Sequence, residues 1–282
     1  MTLGIILVIL LMLGAVAAAA ILFGQMRWKR RTRVLRQRLE ANRLAIEPKV
    51  FSPGELANLP APVQRFFRAA LVDGQPMVSA VTLAQTGSFN QSETAENWKP
   101  FTSTQRVVVR RPGFDWDARI MIWPGVPMHV QDAYAGGEGV LQVAMLGLFS
   151  LANWHDTGPL AKGELIRFFA EAAWYPTSLL PSQGIRWQAQ DERSARAKLT
   201  DGDNTVTLLV RFNQEGLIDT VRAESRGLSK GVSLPWQARL WNYAWRDNMR
   251  VPLEGVAAWV TPEGVKPYWR GKITELDYEF AK

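Results

Sequence analysis

Hydrophobic positions along the chain change their spacing once, and the change separates two kinds of element. Residues 3–23 contain no charged or strongly polar side chain, and at 1.5 Å per residue such a helix spans about 30 Å, the thickness of a bilayer core. After Gly74 the apolar positions alternate with polar ones, as in "FDWDARIMIW", and turn signals such as Pro112-Gly113 separate the runs. The pattern predicts a membrane-spanning helix followed by consecutive antiparallel strands.

One helix is predicted between two runs of strands. Residues 159–175 place Glu164, Arg167 and Glu171 on a narrow polar stripe and apolar side chains on the other faces. Roughly ten to twelve strands surround it, and a sheet of that length normally curls. We predict an α+β fold: an N-terminal transmembrane helix, then a large curved antiparallel sheet, a half-open barrel with lid helices. The helix at 159–175 is expected to cross the open face.

Three segments follow from these patterns. They are a transmembrane helix at 1–25, a basic juxtamembrane helix or linker at 26–49, and a single α+β domain at 50–282. A cleaved signal peptide is the alternative for the first segment, because "AVAAAA" offers small residues for cleavage. The start of the chain lacks Lys and Arg, however, and the apolar run continues through Phe23, which favours an uncleaved anchor.

Positive charge is concentrated directly after the apolar run. The chain carries a net charge of +7, and residues 27–43 hold eight basic side chains and one acid. The remainder has 25 residues of each sign, so it lacks the positive field that a nucleic-acid partner requires. The side chains expected at anionic lipid headgroups are Arg27, Lys29, Arg30, Arg31 and Arg33.

The same cluster indicates topology. The positive-inside rule places the N-terminus outside and the domain in the cytoplasm, as a single-pass protein of the bacterial cytoplasmic membrane. The alternative to headgroup binding is that the cluster only sets the topology, which is the usual role of basic residues beside a membrane. Trp28, within the cluster, is placed like an interfacial anchor.

The polar residues form no recognisable catalytic or metal motif. There is no cysteine, and the two histidines, His129 and His155, are too few for a zinc site, so we expect no metal and no cofactor. No G-x-S-x-G, Walker or H-E-x-x-H sequence is present, and we expect no enzyme activity. An enzyme hypothesis would use the acids of the first strands: Asp117, Asp132 and Glu138, with Arg119 as partner.

Aromatic residues are the main candidates for a binding site. Most of the twelve tryptophans fall in predicted strands or in the central helix. Such side chains either line a cavity for an apolar molecule or fill the core of a wide sheet. The residues that we select as ligand-binding are Phe169, Trp174 and Tyr175 on the helix and Trp116, Tyr134, Trp241 and Tyr243 on the sheet. Trp241 and Tyr243 are expected to share one covered face of their strand.

Several stretches resemble a known family. "GFDWDARI", "DAYAGGEG", "AEAAWYPTSLLP", "ARAKLTDG", "RVPLEG" and "KPYWRGKITELDYEF" look like a bacterial family of unknown function, with a membrane-anchoring N-terminus and one domain covering residues 60–280. At a looser level the order of elements is similar to the lipoprotein-carrier (LolA-like) half-open barrel, in which helices cover an apolar cavity. That resemblance implies a periplasmic domain, whereas the charge rule implies a cytoplasmic one.

These observations lead to two hypotheses of different classes. The first is a membrane-anchored binding module that holds a lipid or another apolar molecule between the curved sheet and residues 159–175. The second is a membrane-tethered structural or interaction domain with a packed core and no ligand. The first predicts an apolar cavity beneath the helix, and the second predicts that side chains fill this space.

Overall fold

The structure, a computed structural model, describes residues 2–92, 95–229 and 232–282, so Met1 of the predicted span lies outside it. The α-helices of the described part are α1 (Thr2–Asn42), α2 (Ala61–Ala70) and α3 (Pro159–Glu171). The strands are β1 (Val78–Asn90), β2 (Trp98–Val108), β3 (Gly113–Trp123), β4 (Val126–Ala135), β5 (Glu138–Met145), β6 (Phe149–Asp156), β7 (Arg186–Asp191), β8 (Ser194–Asp201), β9 (Asn204–Phe212), β10 (Ile218–Ser229), β11 (Val232–Arg246), β12 (Met249–Thr261) and β13 (Gly264–Phe280).

All of these strands belong to one antiparallel sheet that does not close. Its order is β6-β5-β4-β3-β2-β1-β13-β12-β11-β10-β9-β8-β7. Strands β1 and β13 pair in the middle of the sheet, and β6 and β7 form its two edges. The α+β class and the half-open sheet are therefore confirmed, with thirteen strands where ten to twelve were expected.

Helix α3 crosses the concave face and touches both halves of the sheet. It contacts β3 to β6 on one side and β9 and β10 on the other. A Cβ atom on Gly139 would lie 2.6 Å from the backbone nitrogen of Ala161, so glycine is required where the helix meets β5. Beside the helix, the Tyr134 hydroxyl donates to Asp201 at 2.8 Å and joins the two halves directly. The predicted lid position of this helix is thereby observed.

A row of glycines crosses the middle of the sheet. Gly87 of β1 pairs with Gly271 of β13, and Gly271 pairs with Gly255 of β12. A side chain on Gly271 would overlap the indole of Trp269, which covers this stretch of backbone. Glycine within a strand allows close backbone approach and bending, and a neighbouring aromatic ring restores the lost packing. The row therefore allows β1, β13 and β12 to approach closely at the middle of the sheet.

Helix α1 continues well beyond the predicted end of the membrane span. It is long and apolar enough to cross a membrane, and it runs without interruption to Asn42. Its buried positions Gly24, Trp28, Thr32 and Leu39 recur at helical spacing and face the outer side of β2 to β4. Leu39 packs against Ala80, Val108 and Ala135. The basic segment after the apolar run is thus part of the packed structure.

We predict that Gly87→Ala destabilises the sheet. Its methyl group would collide with the carbonyl oxygen of Arg270 on β13, and forcing an extra group into a packed site typically costs about 1–3 kcal/mol. Chemical denaturation of the detergent-solubilised protein measures the free energy of unfolding. Gly54→Ala is the control, because a Cβ there meets only Ser52 Oγ, at 3.8 Å. Equal stability of the two variants would contradict a close-approach role for Gly87.

Candidate functional site

The concave face has a packed part and an open part, and β4 shows the transition. Tyr134 is fully buried near α3. Asp132 follows with a side chain that is 20% exposed, then Val130 at 8%, and Met128 is half-buried at the other end of the strand. Burial on the inner face of this strand is therefore complete at Tyr134, and the opposite end, at Met128, is partly exposed.

The packed part contains five of the seven side chains that were selected as ligand-binding. Trp116, Tyr134, Phe169, Trp174 and Tyr175 are each at most 3% exposed. The Trp116 indole donates to Gln85 at 2.8 Å, and the Tyr175 hydroxyl donates to the Phe168 carbonyl at 2.8 Å. These side chains fill the space beneath the helix instead of lining it, which is the arrangement that the packed-core hypothesis predicts.

The two remaining selected residues lie on different sides of β11. Trp241 is 39% exposed, and its indole donates to Glu254 at 2.9 Å. Tyr243 packs against the core and donates to the Ile218 carbonyl at 2.6 Å. Asn242 between them has a φ of +57°, which breaks the alternation of side chains. The expectation that Trp241 and Tyr243 share one covered face is wrong.

Charged side chains form a network where the packed part meets the open part. Arg167 of α3 binds Asp132 of β4 at 2.7 Å and Glu171 at 2.8 Å. Gln105 of β2 donates to Glu171 at 2.6 Å. The Arg167 guanidinium also lies 4.6 Å from the centre of the Trp116 ring, within cation–π range. The polar stripe predicted on the central helix therefore binds the inner face of the sheet.

A second arginine extends this network to the other half of the sheet. Arg226 of β10 lies 3.6 Å from Glu164 of α3 and donates to the Gly163 carbonyl at 3.1 Å. It also donates to the Tyr268 hydroxyl at 3.1 Å, and Trp236 donates to the same hydroxyl at 2.9 Å. Sequence reasoning missed Arg226, since nothing in its own strand distinguishes it from exposed arginines nearby.

Burial perturbs the acids of the network. Desolvation raises the pKa of Glu164 to about 8, against the opposing effect of Arg226, and the nearby Asp132 raises it further. Desolvation also raises the pKa of Asp132, while Arg167 lowers it. Arg167 and Arg226 therefore face three acids, and burial favours the protonated forms of Glu164 and Asp132. All of these partners belong to the chain itself, so the network can hold α3 on the sheet without a ligand.

The open part of the concave face is apolar and aromatic. Half-buried side chains that pack against the core lie on its strands: Phe89, Ile122, Met128, Leu141, Val143, Trp259, Tyr268 and Trp269. Phe89 and Trp259 each lie 5.7 Å from the Tyr268 ring. Strand alternation places most of these residues on the inner face. Tyr268 and Trp269 are consecutive, and the bulge at Tyr268 in the pairing of β13 with β12 allows both to contact it. Their incomplete coverage depends on where α3 ends, which the sequence pattern does not reveal.

The carboxylates of the enzyme hypothesis do not come together. Asp132 points to the inner face, whereas Asp117 and Glu138 point outward and bind α1. Asp117 accepts from the Trp28 indole at 2.8 Å and from Thr32 at 3.0 Å, and Glu138 pairs with Arg38. Trp28 is only 2% exposed, so its predicted interfacial position is wrong. The outer acids form the surface on which α1 docks.

The outer face also contains both histidines. His129 is buried, with its ring 5.1 Å from the Trp28 ring, and burial lowers its pKa, with a smaller contribution from Arg119. His155 contacts Glu138 at 3.2 Å. Within residues 2–92, 95–229 and 232–282, no group of three potential metal ligands occurs.

The residues expected at lipid headgroups occupy the part of α1 nearest the apolar run. Arg27 donates to the Leu148 carbonyl at 3.2 Å, and Arg31 is partly covered. Lys29, Arg30 and Arg33 are exposed, and no ion pair joins them to an acid in the described part of the chain. The basic residues further along α1, by contrast, bind acids of the sheet. Arg36 pairs with Asp115 at 2.7 Å.

A separate cleft of about 840 Å³ lies at the other end of the strands, beside the β2–β3, β4–β5 and β8–β9 turns. Phe168 and Phe169 of α3 lie at its base, and charged loop residues including Arg110, Asp201 and Asp203 surround it. Phe169 is therefore the one selected residue that borders this space, and the mixed lining differs from the apolar open part.

The chain belongs to the class of half-open antiparallel sheets: it has a long N-terminal helix, an open sheet, and one helix lying across the concave face. A model of a family of unknown function (DUF6920) matches residues 57–278, and the chain belongs to that family. The match confirms the resemblance carried by the six sequence motifs. No curated protein matches the chain significantly.

Twelve chains among the solved structures match this chain. A LolA superfamily protein from Nitrosomonas europaea has 11% sequence identity and a TM-score of 0.38, over 76% of this chain and 91% of that one. A β-barrel-like protein of unknown function (DUF1849) from Brucella abortus has 7% identity and a TM-score of 0.28, over 72% and 99%.

We predict that Glu164 makes stability fall with rising pH. Because its pKa is raised from 4.5 to about 8 on folding, the contribution is complete below pH 4.5 and is lost as pH rises towards 8. One such group changes the free energy of unfolding by at most about 1.4 kcal/mol per pH unit. Denaturant titrations between pH 5 and 8 should show a shallower decline for Glu164→Gln.

Exposed Glu224 provides the matched control, because its side chain is 61% exposed beside Arg222. Glu224→Gln should keep the pH slope of the wild type. An identical slope in the wild type and both variants would mean that Glu164 has no raised pKa.

Proposed function

We propose that this chain is a membrane-anchored binding module whose ligand is the acyl chain of a lipid or a similar apolar molecule. The ligand lies on the open part of the concave face, not beneath α3 as the sequence suggested. One observation carries the proposal: apolar inner-face side chains such as Met128, Val143 and Trp259 remain half-exposed although they continue the core.

The energetics favour a ligand that comes from the bilayer. Burying a methylene from water yields about 0.8 kcal/mol, so the half-exposed inner face is costly to leave in water. An acyl chain that moves from the bilayer to this face exchanges one apolar environment for another and loses little. The aromatic residues Phe89, Tyr268 and Trp269 offer flat surfaces for such a chain.

The anchor belongs to the same proposal. Residues 3–23 cross the bilayer, the N-terminus lies outside, and the domain lies in the cytoplasm, because the basic residues follow the apolar run directly. A periplasmic domain, as the carrier resemblance implied, would require the reverse orientation of α1.

The packing beneath α3 favours a second candidate, a tethered interaction domain without a ligand. Trp174 and Tyr175 are at most 3% exposed there, and Arg167 and Arg226 are paired with acids of the chain itself. In this case the open concave face remains free of lipid, and the two candidates therefore differ in one observable, which is contact between acyl chains and the inner face.

We predict that acyl chains contact the inner face of β4 and β5. The full-length protein is reconstituted in nanodiscs with a phosphatidylcholine that carries a diazirine at the end of one acyl chain. After illumination, mass spectrometry should find lipid on peptides containing Met128 or Val143, besides the peptides of α1. Crosslinks confined to α1 would reject the proposal and leave the interaction domain.

Neighbouring residues of β5 provide a matched pair of variants. Val143 points to the inner face, and Gln142 points outward beside His155. Val143→Asp should reduce inner-face crosslinking at least about tenfold, because an unpaired charge on an apolar surface costs more than 1.4 kcal/mol. Gln142→Asp should leave it unchanged. Equal losses in both variants would indicate a general effect on the fold.

A further inference from the structure

The turn between β5 and β6 lies against α1 directly after the apolar run. A side chain on Gly24 would collide with the Leu146 carbonyl, and a side chain on Gly147 would collide with Gly24 in return. Arg27 donates to the Leu148 carbonyl at 3.2 Å. Since α1 rises 1.5 Å per residue, this turn sits within about one helical turn of the end of the predicted bilayer span.

Three large apolar side chains project from this end of the sheet. Trp123 is 69% exposed, Phe149 66% and Leu151 60%. They lie at the same end of four consecutive strands, because Trp123 of β3 pairs with Val126 of β4, Leu146 donates to the Pro127 carbonyl at 3.0 Å, and Phe149 of β6 pairs with Met145 of β5. We name Trp123, Phe149 and Leu151 the bilayer-side rim. Soluble surfaces rarely place several such residues together unless something covers them.

Unpaired positive charge lies beside the rim. Lys29 and Arg30 are exposed and follow Gly24 by five and six residues, about 8–9 Å along the helix. Their long side chains can reach back to lipid phosphates while their stems stay on the helix. Trp28 cannot act as the interfacial tryptophan of this region, since it is buried against His129 and Asp117.

We infer that the bilayer-side rim inserts into the interfacial zone of the membrane that α1 crosses, while Lys29 and Arg30 bind anionic headgroups. The occupant of this surface is a lipid bilayer, because the rim is continuous with the transmembrane part of α1. The open concave face, whose Met128 and Val143 lie on the strands that end at the rim, then faces the lipid. The inference rests on the anchor of the proposed function, and it does not require ligand binding.

The absence of cysteine makes a direct test possible. Single cysteines replace Trp123, Phe149, Leu22 or Trp245 in the full-length protein, and each is labelled with an environment-sensitive fluorophore. The proteins are reconstituted in phosphatidylcholine–phosphatidylglycerol vesicles that contain a lipid with a spin-label quencher near the head of its acyl chain. Leu22 is exposed on α1, and Trp245 is 53% exposed at the end of β11, at the far end of the strands.

We expect quenching at positions 22, 123 and 149 and none at 245. Quenching at 22 without quenching at 123 and 149 overturns the rim inference and leaves the anchor intact. No quenching at 22 overturns both. If positions 123 and 149 are quenched but no acyl crosslinks form on the inner face, the rim inference stands and the proposal of a lipid ligand is rejected.

The headgroup contact has its own variant. In the Phe149→Cys protein, Lys29→Gln together with Arg30→Gln should weaken quenching at position 149 in anionic vesicles and leave it unchanged in pure phosphatidylcholine. Arg246→Gln, at the end of β11 that is far from the rim, is the control, and it should not change quenching at position 149 in either kind of vesicle. Unaltered quenching in anionic vesicles would remove Lys29 and Arg30 from the interface.

Discussion

The docking of α1 on the outer face of the sheet is the interaction on which the other geometry depends. Asp117 receives hydrogen bonds from Trp28 and Thr32. Asp115, whose pKa desolvation raises to about 6 while Arg36 opposes the rise, binds Arg36 at 2.7 Å. Leaving the buried Asp115 without its partner would be costly. Because the same helix continues into the apolar segment without a break, the direction of the strands is fixed relative to the direction of that apolar segment.

Helix α3 divides the concave face into a packed part and an open part. Its apolar sides, with Phe169 and Tyr175 nearby, complete the core, and its polar stripe binds Asp132 and Arg226 at the limit of the packed part. Buried ion pairs contribute little net stability compared with apolar packing, but an unpaired partner is strongly unfavourable. The network therefore acts mainly by specifying where the helix lies. What it leaves uncovered is the apolar surface that the proposed ligand occupies.

Local patterns were sufficient to predict the strands, the central helix and its polar stripe, because alternation and helical spacing depend on neighbouring residues alone. Helical spacing predicted that Arg167 pairs with both Glu164 and Glu171. The pair with Glu171 forms, whereas Glu164 binds Arg226, which is distant in sequence. Alternation also indicates that Asp117 and Asp132 face opposite ways. The burial of Trp28 was not predictable, because it depends on the docking of α1. The exposure of Trp241 was not predictable either, because it depends on the positive φ of Asn242.

The position of β13 has a consequence for synthesis. Val78 at the start of β1 lies beside Phe280 near the end of β13, so the middle of the sheet is completed by a strand that is translated after the twelve others of this sheet. Until then β1 and β12 both present unpaired edges, which are open to wrong partners. Pairing between such distant segments is also slow. The nascent chain therefore holds two half-sheets, next to an already translated α1, until β13 leaves the ribosome and joins them.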